Sequence, residues 1–330
     1  MTDGPTLGWQ VIDWIETYLV HGPGDVQGQP IVLDDEFARF VLAAYEVYPR
    51  SHPRAGRRVR NRAFLSRPKG RAKSELAAML ACAEGLGPVR FDGWDAHGEP
   101  VGRPVDAPEI LCFATEEDQA GNTYGNVAFM LTEGAAYDAY PGVDIGRKAQ
   151  TSTRVLLPNH GVIEPMTSGD VSKDGGKSTF VVWDEVHLWF EPRLVRLYHT
   201  VRRNLGKRRA ADPWGLATST MYRPGQGSVA EAMHADHLRK PDGTMLWDHR
   251  EGPAEPVTLD ELYELIRDDD RLRAALADAY GAFAPHMDFD RLIDEEFRSE
   301  SVRLEDSIRY FLNRKIDHSE DFLPVDIFDA

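Results

Sequence analysis

Four short apolar runs constrain this chain more than anything else in its sequence: "NRAFLS" (Asn61–Ser66), "EILCFAT" (Glu109–Thr115), "STFVVWDE" (Ser178–Glu185) and "WGLATST" (Trp214–Thr220). They read as strands. Between them lie helical stretches: "SELAAMLACAEGLG", "EEDQAGNTYGNVAFMLTEG" and a basic helix from Arg193 to Asn204. Such alternation predicts an α/β fold, with a mostly parallel central sheet flanked by helices on both faces. Leu7–Val20 and Leu33–Tyr48 read as N-terminal helices, and "GSVAEAMHADHL" as a later one. "STRVLLPN" and "GVIEPM" look like paired strands, and "FDGWDAHGEPVGRPVDAP" like a loop or hairpin.

The pattern changes after Pro256, where three or four acidic amphipathic helices follow. From Arg250 onward there are 22 acids against 10 bases, about three-quarters of the excess behind the net charge of -16. The expected division is therefore residues 1–250 as one α/β domain and 251–330 as an acidic helical subdomain. The overall charge argues against simple wrapping of nucleic acid. Base is concentrated instead in Arg50–Ser74, with ten Lys and Arg and no acid, and in "RLVRLYHTVRRNLGKRR". Either cluster can be a solvated face or a surface for DNA or a neighbouring subunit. No run of eighteen apolar residues occurs, so no membrane helix is expected. Cys82 and Cys112, in apolar runs, read as buried free thiols of a reducing compartment.

"RPKGRAKS" (Arg67–Ser74) lies between a strand and a helix, where a phosphate-binding loop would sit. It departs twice from G-x-x-x-x-G-K-[ST], with Arg67 and Ala72 in place of the glycines. Gly70 keeps one permissive position, and Lys69 and Arg71 add charge that favours a polyphosphate. About 110 residues later, "FVVWDE" ends a strand in two acids, the Walker B arrangement. Asp184 would hold Mg²⁺, and Glu185 would orient and deprotonate water. Lys73 would reach the β- and γ-phosphates of ATP, Ser74 would give its hydroxyl to Mg²⁺, and the helix N-terminus would face the phosphates. Thr218, Ser219 and Thr220 end the next strand and could sense the γ-phosphate. The order of these pieces is that of an additional-strand, RecA-like P-loop NTPase.

In combination these residues resemble the large terminase subunit of tailed bacteriophages, and "RPKG" before Lys-Ser is similar to terminases of phages that infect actinobacteria. The resemblance covers roughly Leu33–Asn313, and the pieces that carry it include "ILCFATEEDQAGNTYGNV", "TFVVWDEVHLW" and "WGLATSTMYRPGQGSVAEA". The resemblance implies ATP hydrolysis that drives viral double-stranded DNA into the procapsid. It also implies a portal protein and a small terminase subunit as partners, a homo-oligomeric ring on the portal, and the cytoplasm of the infected bacterial host. Lys73 and Ser74 would be the Walker A pair, Asp184 and Glu185 the Walker B pair, and Thr218–Thr220 the coupling motif. Gln119 matches a Gln-Ala pair of the family. Arg147, Arg154, Lys173 and Lys177 are candidates for a basic residue that completes a neighbour's site.

Two departures bear on adenine and on DNA. The glutamine of the family's adenine-contacting segment is not evident, and Phe37 stands near its place. The family usually continues into an RNase H-like nuclease. Here the sequence ends at Ala330, so the nuclease domain is expected to be absent and no DNA cleavage is expected. Other readings are a DExH-type helicase, because of "DEVH", and an ATP-binding assembly protein that does not hydrolyse. His234 and His237, with Asp236 or His249, could form a zinc site, but lack cysteines or spaced pairs. The acid clusters at 268–270 and 294–296 read as solvated faces.

Overall fold

The computed structural model describes residues 4–114, 117–145, 154–166, 176–241 and 243–316, with the side chains of 117–122 left aside. The chain divides into two compact units. The first holds residues up to Ser66, then Ala72–Ser219 and Ser228–His249. The second gathers Arg67–Arg71, Thr220–Gly227 and the chain from Arg250.

The first unit is built on strands β1 (Arg62–Ser66), β4 (Glu109–Phe113), β5 (Asp144–Ile145), β6 (Val155–Leu156), β7 (Val162–Met166), β8 (Phe180–Trp183), β9 (Trp214–Ser219) and β10 (Met245–His249). They form one sheet in the order β10-β1-β9-β8-β4-β7-β6-β5. Pairing is parallel from β10 to β7 and antiparallel across β6 and β5. β2 (Arg90–Trp94) and β3 (Pro100–Arg103) make a separate antiparallel hairpin within the Gly- and Pro-rich insertion. β9 lies between β1, which leads to the basic loop, and β8, which ends at the two acids. This is the additional-strand, RecA-like arrangement of P-loop NTPases. β10 escaped the sequence reading, because its short "MLWDH" is enclosed by Pro, Gly and charged residues.

Alternate residues of the central strands face opposite layers. Ala63, Leu65, Ile110, Cys112, Phe180, Val182, Trp214 and Leu216 join one core with the helices Gly8–Tyr18, Asp35–Ala44, Lys73–Leu86 and Glu117–Glu133. The helix Lys73–Leu86 buries every residue except Ser74 and Glu75, as an apolar, alanine-rich helix in the centre of a fold must. On the other face, Trp183 meets Tyr198 of the helix Pro192–Asn204. Trp247 stacks on Phe64 and on His234 and His237 of the helix Val229–Arg239. Gly215 is fixed by this layer: a Cβ there would lie 2.2 Å from the Trp183 ring.

In the second unit, the acidic stretch forms the helices Leu259–Ile266 and Asp269–Tyr280 and shorter helical turns to Leu312 around Leu262, Leu272, Leu276, Tyr280, Phe297 and Leu312. Thr258 and Glu261 make a capping box. Asp268 caps the next helix by accepting from the N–H groups of Asp270 and Arg271, so this acid cluster starts a helix as well as coating one.

Candidate nucleotide site

Ligands of open α/β sheets bind outside the carboxyl ends of the strands. At that edge of the first unit, β1, β9 and β8 lie side by side. The chain leaves β8 into Asp184 and Glu185, and the helix that follows β1 starts at Lys73.

Asp184 is buried, at 4% exposure, and sits among hydroxyl groups. Thr123, from the helix Glu117–Glu133, donates to its Oδ2 at 2.8 Å. Thr218 of β9 donates to its Oδ1, and the Ser74 hydroxyl is a further hydrogen-bond partner. The Glu185 backbone N–H also donates to Oδ1, at 3.1 Å. Burial, reinforced by the Glu185 charge, pushes the Asp184 carboxyl above the usual carboxylate range, while the three hydroxyls pull against that shift.

Glu185 is one-third exposed and takes a left-handed backbone, with φ of 53°. Strain of this kind at a non-glycine residue clusters at functional positions. It turns the side chain of Glu185 toward Lys73, whose Nζ is 3.8 Å from Oε1. His187 Nδ1 lies 3.1 Å from Oε2 and 3.3 Å from the Ser219 hydroxyl. A carboxylate only accepts, so Nδ1 carries the proton toward Glu185. Lys73, Asp184, Glu185, Thr218 and Ser219 thus form one cluster, buried except at Glu185, and Ser74 joins it through Asp184.

Ala72 explains how a divergent loop reaches this position. It is left-handed, with φ of 53° and ψ of 26°, and precedes the first residue of the helix. The glycine pattern at this place is a backbone requirement, and here alanine meets it at a cost of about 1–2 kcal/mol.

The remaining loop residues, Arg67–Arg71, belong to the second unit and are held there. The Lys69 N–H donates to the Tyr310 carbonyl at 2.8 Å, and the Tyr280 hydroxyl donates to the Lys69 carbonyl at 2.6 Å. The Arg71 guanidinium lies over Phe283, and Arg67 is buried. Pro68 precedes Lys69 within this grip, and Gly70 is left-handed, with φ of 84°. Thr220 is buried in the same unit.

Several sequence-derived candidates fall elsewhere. Arg147 and Lys173 lie outside the described residues, as does the side chain of Gln119. Arg154 is exposed at the antiparallel edge, 4.0 Å from Glu164. Lys177 is exposed before β8, at the end of the sheet away from Asp184. Phe37 is a core residue at 5% exposure. The N-terminal segment that adjoins the helix start is instead His21–Gly22, tied to Glu75 by the His21 ring at 3.0 Å and the Gly22 N–H at 3.1 Å. Thr123 and the linking role of His187 were missed: a lone threonine in a helix carries no signal, and "DEVH" pointed only to a helicase box.

The donor set suits Mg²⁺. A carboxylate and a hydroxyl linked to each other supply hard oxygens, and this ion is typically held by one or two carboxylates together with substrate phosphates.

No protein-family profile matches the chain. It is 28% identical over 284 residues to the Gene 13 protein of Mycobacterium phage L5, covering 77% of this chain and 45% of that protein. To the Gene 13 protein of Mycobacterium phage D29 it is 26% identical over 280 residues, covering 76% and 44%. The chain thus spans a little under half the length of these curated relatives. In structure it matches the crystal structure of the HK97 bacteriophage large terminase with a TM-score of 0.66 at 18% identity, over 94% of this chain and 55% of that one. Over 94% of its length, this chain has the fold of part of the HK97 bacteriophage large terminase.

Proposed function

We propose that this chain is the ATPase part of a terminase large subunit and hydrolyses ATP to drive viral double-stranded DNA into a procapsid. One observation carries the reading. A buried lysine at the start of a helix stands 3.8 Å from a strained glutamate at the tip of β8, with the hydroxyl-bearing β9 between their strands. The fold shared with the HK97 large terminase supports it.

In this mechanism Lys73 leaves Glu185 and pairs with the β- and γ-phosphates, and the N–H groups of the helix start face the same charge. Ser74 and Asp184 would hold Mg²⁺, which would neutralise charge on the phosphate oxygens. Glu185, released from Lys73 and oriented by His187, accepts the proton of the attacking water. Thr218 and Ser219 bond to Asp184 and His187, so they sense the state of both acids. Arg147, Arg154, Lys173 or Lys177 would complete a neighbouring subunit's site in a ring on the portal, a contribution worth ~10³–10⁵ in rate in related enzymes. The helical unit after residue 250 would act as a lid or linker. The small terminase subunit would be a further partner, in the cytoplasm of the infected bacterial host.

The test is ATP hydrolysis by the wild type and by Glu185→Gln, with portal and DNA present. The variant should lose about 10²–10⁴ in kcat while still binding ATP. Equal inactivity of both proteins would leave an ATP-binding assembly protein and refute the motor.

A further inference from the structure

The two basic stretches of the sequence meet in the first unit, at the opposite edge of the sheet from Asp184. Arg54, Arg58, Asn61 and Arg62 approach and begin β1. Arg202 and Arg203 end the helix Pro192–Asn204, and Arg209 follows it. Together they line a cleft of about 430 Å³ that also includes Pro213, before β9, and Thr244, before β10. These are the amino ends of three neighbouring strands, about 15–20 Å from the candidate nucleotide site by strand length.

The charge of the cleft is not balanced from within. Among the described residues, no carboxylate lies within ion-pair distance of Arg54, Arg202, Arg203 or Arg209. Arg58 turns inward to Glu84, and Arg62 meets Asp236 at 3.5 Å. The one acid among the described lining residues, Asp212, accepts from the Arg58 backbone N–H at 2.7 Å and lies 3.8 Å from Arg57. Arg202 and Arg203 also suit the negative end of their helix. That accounts for two guanidinium groups and not for the convergence of arginines from three segments.

We infer that this cleft binds the phosphodiester backbone of double-stranded nucleic acid, independently of sequence. Planar guanidinium forks match phosphate oxygens in pairs. Among the described residues no aromatic ring lines the cleft, so these offer no stacking platform for the bases of a single strand. Asn61 is the one amide side chain among the described lining residues, which is no array for reading base edges. The binding needs neither Lys73 nor Glu185, so it is separable from the hydrolysis reading.

The test compares two double variants on one helix. Arg202→Ala/Arg203→Ala removes two cleft arginines; Arg193→Ala/Arg196→Ala removes the same charge from a different surface hollow. Binding of the full chain to a random-sequence 30-base-pair duplex is followed by fluorescence anisotropy across a salt series, without nucleotide. The cleft variant should bind at least about tenfold more weakly at ~100 mM salt, with its log–log salt slope reduced by up to about two. The control pair should change affinity less than twofold. Thermal midpoint and DNA-independent ATP hydrolysis should be unchanged in both. If the alanine pair lowers the midpoint, the lysine pair carries the test, with affinity reduced and slope retained. Equal losses in both alanine variants, or no loss in the cleft variant, would overturn the inference. So would loss of self-association with duplex binding intact, which would assign the cleft to an acidic protein surface.

Discussion

Two acidic clusters stand near opposite ends of the helix Lys73–Leu86, and they are built in opposite ways. Near the last turn, Glu84 is fully buried between cations and neutral donors. Arg90 bonds it at 2.7 and 3.0 Å, the Tyr45 hydroxyl and the Trp214 indole each donate at 2.8 Å, and Arg58 lies at 3.7 Å. At the first turn, Asp184 has hydroxyl partners, and Glu185 has one lysine at 3.8 Å. Asp212, which accepts from the Arg58 backbone N–H and attracts both guanidiniums, brings the first cluster to two carboxylates and two cations, so it is electrically closed and pins the helix to β9. Among the described residues, the second sets two adjacent carboxylates beside one lysine, and burial and mutual repulsion push Asp184 upward. A balanced buried cluster holds structure; the unbalanced one, at the carboxyl edge of a parallel sheet, is where the proposed hydrolysis is set.

Substitutions can break this contrast. Glu84→Ala leaves Arg90 and Arg58 buried with a missing partner and should cost about 3–5 kcal/mol in denaturant unfolding. A loss under about 1 kcal/mol would show that the first cluster is not closed. His187→Ala should lower kcat about tenfold, equivalent to about 1.4 kcal/mol, with KM little changed. His187→Gln, which keeps a donor, should recover part of the loss, and a change in thermal midpoint alone would make His187 merely structural. Ala72→Gly should raise stability by about 1 kcal/mol, because glycine accepts the left-handed backbone freely. A loss there would mean that the loop relies on the alanine methyl group. Asp184→Asn, measured without metal or nucleotide, should change stability by less than about 1 kcal/mol, since it removes the burial cost of a charge along with the bonds to it. A cost like that of Glu84→Ala would erase the distinction.

Much of the sheet was legible because buried parallel strands are written as uninterrupted apolar runs, as in "ILCF" and "FVVW". The order of loop, acids and threonines then pointed to the additional-strand arrangement. β10 was not legible, because an edge strand of five residues carries little periodic signal. The left-handed backbone of Ala72 and Glu185 was not legible either, since neither residue type announces it. Nor was the Glu84 cluster, whose members come from positions as far apart as Tyr45 and Trp214. The arginine cleft was half visible: both basic stretches stood out, and only the fold brings them together.

The grip on Lys69 has a consequence for how the protein comes into being. The loop's carbonyl is held by a hydroxyl 211 residues downstream. At about 5–20 residues per second, a ribosome would deliver Tyr280 roughly 10–40 s after Lys69. The first unit can assemble its sheet in that interval, but the loop must wait for the C-terminal helices to emerge. A nascent chain is thus without this part of its loop geometry until Tyr280 has been made, so the segment before Lys73 takes its final shape later than the sheet it joins.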